Sequence, residues 1–201
     1  MKIIHLPTSV GNHGYSLACA ERRAGHDSVS LVKYKKFFNF KNDIELIPGK
    51  GFRKLITAYK LIKKINKEYE IIHFNYGSSF CDTQGKKYGL WDLPFYKKPS
   101  FMTFNGSDLR QLVDATTNQY TPFSIQKAYN DMPFPYVDKQ KRTDKILKYV
   151  KHCFVITPDL LRFLPEGKAT LLPGLKEAWF NVDKTDRVYA KKGKLRIVHA
   201  P

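Results

Sequence analysis

Apolar and polar positions alternate along the chain with two different periods. Short apolar runs bounded by polar, glycine or proline residues are typical of buried strands, and longer segments with apolar residues three or four positions apart are typical of helices. The strand-like runs are residues 2–7, 27–32, 69–76, 101–105, 153–157 and 171–174. The helix-like segments are residues 15–24, 52–68, 138–151 and 158–164.

The order of these elements predicts the fold class. Strands that alternate with helices form right-handed βαβ units, which bring successive strands side by side in parallel. Gly25 follows the first helix at the position where a C-terminal cap glycine belongs. We therefore predict an α/β fold with a Rossmann-like, doubly wound and mostly parallel sheet, covered by helices on both faces.

The segment 52–68 has the clearest helical period in the chain. Its apolar residues fall on one broad arc, which we expect to face the core, and its basic residues gather on the opposite side. The apolar set is Leu55, Ala58, Tyr59, Leu61, Ile62 and Ile65, and the basic set is Arg53, Lys60, Lys63, Lys64 and Lys67. The basic side is either an ordinary solvated face or a surface that docks on anionic lipid, at about 1 kcal/mol of attraction for each well-placed cation.

Composition narrows the classes of protein that fit. The chain has 201 residues, of which 42% are hydrophobic, so it can bury a sizeable core. No apolar run approaches the roughly 18 residues of a membrane span, and the N-terminus lacks a signal-peptide core, so we expect a cytoplasmic protein. Three separate cysteines without metal-ligand spacing predict reduced, buried thiols and no metal site.

The charge balance predicts an anionic partner. Lysine and arginine total 35 against 18 acidic residues, which gives a formal net charge of +17. Nucleic acid, a membrane surface and phosphorylated small molecules all fit this charge, and composition does not choose among them. The sequence shows no helix-turn-helix, zinc-ligand or RNP-type pattern that would favour nucleic acid.

The first candidate site is the loop after the first strand. In open parallel sheets, ligands bind beyond the carboxyl ends of the strands, where loops and helix N-termini converge. Gly11, Asn12, His13 and Gly14 occupy such a loop, and amides at the start of the next helix can hold a phosphate or a sugar hydroxyl. The alternative is an ordinary tight turn, since the loop is neither Gly-x-Gly-x-x-Gly nor a P-loop.

The second candidate site ends the strand at 69–76. Alternation places His73 and Asn75 on one face, with Tyr76 on the other. A histidine can take or give a proton near neutral pH, and an asparagine can bind a hydroxyl as both donor and acceptor. The alternative for His73 is a hydrogen-bonded structural histidine.

The third candidate site follows the strand at 101–105. Its short polar groups are Asn105, Gly106, Ser107, Asp108 and Arg110. Either the carboxylate and the guanidinium pair with each other and cap the next segment, or they bind hydroxyls and phosphate in a cleft. At a fourth strand end, Thr157 is expected to cap a short helix.

Five motifs occur in order along the chain: MKIIHLPT at 1–8, IIHFN at 71–75, FNGSDLR at 104–110, TPDLL at 157–161 and LRIVHAP at 195–201. Together they resemble the N-terminal half of a GT-B glycosyltransferase of the retaining, family-four type. The resemblance implies two Rossmann-like domains that face a cleft, with the acceptor held by the first. The nucleotide-sugar donor is held mainly by the second, and no other cofactor is implied.

The resemblance also implies a division of the chain. Residues 1–180 would form the acceptor-side domain, 181–194 a linker, and 195–201 the first strand of a truncated donor-binding domain. On this interpretation the full-length protein is a hexosyltransferase-like enzyme that retains configuration, and the chain alone is inactive. Its partners would be a sugar or lipid-linked acceptor and the inner face of an anionic membrane.

In such an enzyme we expect His73 and Asp108 to be the catalytic residues. The substrate-binding residues would be Gly11, Asn12, His13, Gly14, Asn75, Tyr76, Asn105, Gly106, Ser107 and Arg110. The alternative to an enzyme is a non-catalytic, basic domain that binds a nucleotide, an acceptor or nucleic acid.

Overall fold

The computed structural model describes residues 1–8, 10–33, 40–47, 49, 51–82, 89–110 and 139–172. The strands are β1 (Lys2–Leu6), β2 (Asp27–Val32), β3 (Ile44–Glu45), β4 (Ile71–Asn75), β5 (Ser100–Phe104), β6 (His152–Val155) and β7 (Ala169–Leu171). The α-helices are α1 (His13–Arg23), α2 (Phe52–Glu68) and α3 (Lys139–Tyr149). Short 3-10 helices cover Val10–Asn12, Leu93–Phe95 and Pro158–Phe163.

The seven strands form one sheet in the order β3-β2-β1-β4-β5-β6-β7, and every neighbouring pair is parallel. This topology confirms the predicted α/β, Rossmann-like, doubly wound fold. The chain runs outward from β1 to β3 and then crosses back to β4 on the other side of β1. The order therefore reverses between β1 and β4, which is where open α/β sheets bind their ligands.

The two faces of the sheet differ in chemistry. On the apolar face, residues from β1, β2, β4, β5 and β6 join side chains of α2 and α3 in a single buried cluster. The buried strand residues of this cluster are Ile4, Leu6, Leu31, Ile72, Phe74, Met102, Phe104, Cys153 and Val155. The polar face, on the other side of the same strands, lies under α1 and carries His5, Ser28, Ser30, His73, Asn75 and Thr103, all buried.

Helix α2 has the predicted bounds but differs from the prediction in what it buries. Ala58, Leu61, Ile62 and Ile65 pack into the core, whereas Leu55 and Tyr59 are 48% and 67% exposed. At 3.6 residues per turn, the exposed side chains lie about 120° around the helix from the buried ones. The exposed set, here called the α2 patch, is Phe52, Leu55, Ile56 and Tyr59.

The structure differs from the predicted strands in two places. Strand β3 was not predicted, because a two-residue strand is too short to show a period. The predicted strand at 171–174 lies earlier, at Ala169–Leu171. The predicted linker (181–194) and the predicted strand of a further domain (195–201) lie outside the described residues.

All three cysteines are free, and burial raises the pKa of Cys81 and Cys153 to about 12. Among the described residues, no helix is long and apolar enough to cross a bilayer.

Candidate functional site

The predicted site residues gather at the carboxyl edge of the sheet. Because all strands are parallel, the loops after β1, β4 and β5 emerge side by side at that edge. Tyr76, just after β4, joins Ser107, after β5, through hydroxyl oxygens 2.9 Å apart. The structure thus brings together loops that are separated by some 30 residues in sequence.

Buried polar atoms without hydrogen-bond partners mark this edge. Asn75 is 0% exposed, and neither its Nδ2 nor its Oδ1 has a partner in the part of the chain that the structure describes. The same holds for Thr8 Oγ1, Asn12 Oδ1 and Asn105 Oδ1. A buried polar group without a partner costs about 1–3 kcal/mol. Such groups on three neighbouring loops offer donors and acceptors to a ligand that carries hydroxyl or amide groups.

The backbone at the same edge adopts uncommon conformations. Tyr76 and Gly77 have φ angles of 61° and 52°, and a bulky residue seldom takes such a value outside functional sites. At Gly77 a Cβ atom would lie 3.1 Å from Cε1 of Phe104, so a side chain there would be both strained and crowded. The turn after β4 is therefore closely packed against β5.

The loop after β1 leads directly into the N-terminus of α1. Gly11 and Asn12 both have φ near 60°, and Asn12 makes no capping hydrogen bond to the described residues. His13 begins the helix. Gly14 is buried against β1, where an added Cβ would make an ordinary contact 3.5 Å from that of His5. This arrangement fits the predicted role in holding an anionic or hydroxyl group.

His73, the first predicted catalytic residue, lies in the middle of β4 and is 6% exposed. Its Nδ1 lies 2.8 Å from His5 Nδ1, and its Nε2 lies 2.7 Å from Thr103 Oγ1. Burial, together with His5 and His13, holds the pKa of His73 well below its ordinary value, so the ring is neutral at pH 7. Direct contact of His73 with a substrate stays a prediction, and Asn75 is the β4 residue that ends at the edge.

Asp108, the second predicted catalytic residue, closes its own loop. Its carboxylate accepts the backbone N–H of Asn105 at 3.0 Å and that of Gly106 at 2.7 Å. Burial raises the pKa of Asp108 to about 6, even though these hydrogen bonds favour the charged form. Lys139 of α3 supports the same loop by donating to the carbonyl oxygens of Ser107 and Arg110. The catalytic role of Asp108 stays a prediction beside this structural one.

Arg110 pairs with a residue that the sequence did not connect to it. Its guanidinium binds both carboxylate oxygens of Asp159, at 2.8 and 3.1 Å, and donates to Thr157 Oγ1 at 3.2 Å. Thr157 occupies the predicted N-cap position of the 3-10 helix at 158–163, but its side chain makes no capping hydrogen bond. Arg110 instead fastens the loop after β5 to the segment after β6.

A buried polar network behind the site was not predicted. Lys33 Nζ donates to the carbonyl oxygens of Ser79, Phe80 and Asp82, and burial lowers the pKa of this lysine to about 8. Arg142 of α3 pairs with the Asp82 carboxylate and donates to the Gly77 carbonyl at 2.8 Å. Together they hold the segment that follows β4, and no local motif signals contacts between residues so far apart in sequence.

A second set of polar side chains, which was also not predicted, lies next to His73 on the polar face. His5 Nε2 lies 2.7 Å from Glu21 Oε2, and Ser28 Oγ donates to the same oxygen at 2.6 Å. Burial acts to raise the pKa of Glu21, but the hydrogen bonds from His5 and Ser28 bring it below its ordinary value. The pairing of β1 with β4 puts His5 beside His73, and strand order is the information that the sequence alone lacked.

Comparison with known proteins does not name a family. No protein-family model matches the chain, and no curated protein matches it. The described residues also contain no group of three or more His, Cys, Asp or Glu side chains that could hold a metal ion.

The carboxyl-edge site offers neutral side-chain amide and hydroxyl groups and the first backbone amides of α1. The neutral ring of His73 lies behind them in β4. Such a set can bind a polyhydroxylated ligand and orient one of its hydroxyls.

Proposed function

We propose that this chain is the acceptor-side domain of a retaining, nucleotide-sugar-dependent glycosyltransferase. The observation that carries the proposal is Asn75, fully buried at the carboxyl edge with both amide atoms lacking a partner among the described residues. A sugar hydroxyl can accept from Nδ2 and donate to Oδ1, and would satisfy both. The motif resemblance supports the same assignment.

The loops around Asn75 fit distinct parts of such a ligand. The amides at the start of α1 suit a phosphate or a hydroxyl, and Asn12 and Asn105 offer buried acceptor oxygens on either side of Asn75. In this arrangement the domain positions an acceptor hydroxyl against the donor sugar, and positioning alone contributes substantially to rate. His73 supports the site from behind as a neutral ring.

The test is to map binding on the isotope-labelled chain by NMR. Sugars and nucleotide sugars are titrated one at a time, and we expect amide shifts confined to residues 8, 10–14, 75–78 and 105–107. Asn75→Ala should abolish these shifts, whereas Asn42→Ala should not, because Asn42 has a similarly unpartnered Oδ1 but precedes β3. Two results would favour the non-catalytic basic domain instead. One is amide shifts that are unchanged in Asn75→Ala, and the other is binding only to random DNA with a steep salt dependence.

We propose further that an anionic membrane surface is a partner, bound through α2. The α2 patch exposes two aromatic and two aliphatic side chains, and Lys60, Lys63 and Lys67 continue the same side of the helix. Apolar side chains that enter the acyl boundary beside cations that reach the headgroups are typical of helices that lie in a membrane interface. An acceptor carried by a lipid would then approach along this surface.

Vesicle co-sedimentation tests this partner. We expect binding to phosphatidylglycerol-containing vesicles and little binding to neutral ones, with a loss of about tenfold in the double variant Phe52→Ser, Ile56→Ser. Leu161→Ser in the 3-10 helix at 158–163 is the matched control, because it also replaces an exposed apolar side chain with serine but lies outside α2. Binding that is indifferent to the anionic lipid, or equal loss in the control, contradicts the proposal.

A further inference from the structure

A continuous chain of hydrogen bonds crosses the polar face of the sheet from β5 to α1. Thr103 Oγ1 lies 2.7 Å from His73 Nε2, and His73 Nδ1 lies 2.8 Å from His5 Nδ1. His5 Nε2 in turn lies 2.7 Å from Glu21 Oε2. The two rings are perpendicular, with centroids 4.9 Å apart, so their nitrogen atoms rather than their faces meet.

When both rings are neutral, the Glu21 carboxylate fixes the direction of every bond between Thr103 and Glu21. Ionised Glu21 is an acceptor only, so His5 must donate from Nε2. A neutral imidazole has a single N–H, so Nδ1 of His5 accepts and Nδ1 of His73 donates. Nε2 of His73 then accepts the hydroxyl proton of Thr103. In this state each ring has one tautomer.

We propose that Thr103, His73, His5 and Glu21 form a proton relay with two hydrogen-bonding states, in which His5 and Glu21 are positioning residues for His73. The relay joins the carboxyl-edge site to the half-buried carboxylate of Glu21. It assigns functions to three side chains, Thr103, His5 and Glu21, that the sequence did not single out.

The second state is reached by adding one proton and moving no heavy atom. The proton binds Nε2 of His73, and the proton on His73 Nδ1 passes to Nδ1 of His5. His5 becomes an imidazolium that donates to the Glu21 carboxylate, and His73 ends neutral with its proton on Nε2. His73 now donates to Thr103, whose hydroxyl proton must turn away from the ring.

The position of Thr103 links this change to the site. Thr103 pairs in register with Asn75 across β4 and β5, on the same face of the sheet. The direction of its hydroxyl therefore alters the hydrogen-bonding groups presented beside Asn75. The use of the relay by a bound hydroxyl rests on the proposed function, whereas the relay itself does not.

Other titratable and charged groups lie around the relay. On the β2 side, Arg22 donates to the Ser28 carbonyl and pairs with Asp43, which accepts from Ser30. His13 at the start of α1 acts on His73, and His26 acts on Glu21. On the β5 and β6 side the neighbour is the uncharged ring of Phe154, 6.1 Å from that of His73. Glu21 is thus the carboxylate that stabilises the added proton.

The experiment is side-chain ¹⁵N NMR of the labelled chain without ligand, from pH 8 to pH 4.5. At pH 8 we expect a proton on Nδ1 of His73 and on Nε2 of His5. As the pH falls, His5 should become an imidazolium in the same transition in which His73 changes to the Nε2–H tautomer. His152, which contacts Thr170 and lies outside the relay, serves as an internal reference. A proton on His73 Nε2 at pH 8, or separate transitions for the two rings, overturns the proposal.

Variants separate the relay from simple structural support. Glu21→Gln keeps an acceptor for His5 but removes the charge, so the coupled transition should move down by about one to three pH units. Ser28→Ala, the matched control on the same carboxylate, should leave both tautomers unchanged. An unshifted transition in Glu21→Gln overturns the proposal. If that variant fails to fold, the ¹⁵N titration of the unmodified chain decides between the outcomes. Correct tautomers in a chain that binds no sugar would leave the relay standing and refute the proposed function.

Discussion

The apolar face and the polar face of the sheet share the same strands but are filled by different chemistry. Under α2 and α3, the strands contribute large apolar side chains to one buried cluster. Under α1, the same strands contribute histidines, hydroxyls and an asparagine, several joined in a relay and others without partners among the described residues. The first arrangement maximises burial of apolar area. The second arrangement keeps polar groups buried even though burying them lowers stability. This pattern is expected of a functional site.

We expect the largest loss of stability from a substitution on the apolar face. Phe74 is fully buried and meets Tyr96 edge to face, with ring centroids 5.0 Å apart. Phe74→Ala should lower the free energy of unfolding by about 3–5 kcal/mol in urea denaturation. Tyr59→Ala, on the exposed α2 patch, should change it by less than about 0.5 kcal/mol. Similar losses in both variants would mean that α2 is packed differently from the structure described here.

The polar face should appear as a dependence of stability on pH. His73 is neutral in the fold, whereas in the unfolded chain it takes a proton below about pH 6.5. The unfolded state therefore binds more protons, and the contribution of His73 to stability should fall as the pH drops below that value, by up to about 1.4 kcal/mol per pH unit. In His73→Gln this contribution should vanish from urea unfolding curves between pH 5 and 8, and an unchanged slope would show that His73 is charged in the fold.

Asp108, at the carboxyl edge, should act with the opposite sign. Its folded pKa of about 6 lies above the unfolded value of 3.8, so between these values the folded state holds the extra proton. The contribution of Asp108 to stability should then fall as the pH rises from 4 to 6, by up to about 1.4 kcal/mol per pH unit. Asp108→Asn should remove this fall while Asp159→Asn, whose carboxyl has a lowered pKa, should not. The same slope in Asp108→Asn and in the unmodified chain contradicts the assignment.

The apolar face was also the more predictable one. The runs in β1, β2, β4 and α2 followed from periodicity, because burial against one side leaves a regular pattern. The exposure of Leu55 and Tyr59 did not follow, since a helix period shows that an apolar arc exists and not how much of it finds a partner.

The contacts of the polar face depend on which strands and helices lie next to each other in the fold. His73 and Asn75 were identified because they end a strand, and the structure places Asn75 at the edge as expected. The contribution of His5 depends on β1 lying next to β4, and that of Glu21 on α1 crossing the same face. Such neighbours come from chain topology, so no single segment of sequence contains them.

The central claim is that the carboxyl edge keeps polar groups buried for binding rather than for stability, and Asn75→Leu tests it most directly. Leucine has a similar volume and no unsatisfied polar atoms, so we expect the free energy of unfolding to rise by about 1 kcal/mol in urea denaturation. The same variant should lose the sugar-induced NMR shifts. A variant that is less stable by more than about 1 kcal/mol and still binds sugars would contradict the claim, because Asn75 would then be a structural residue.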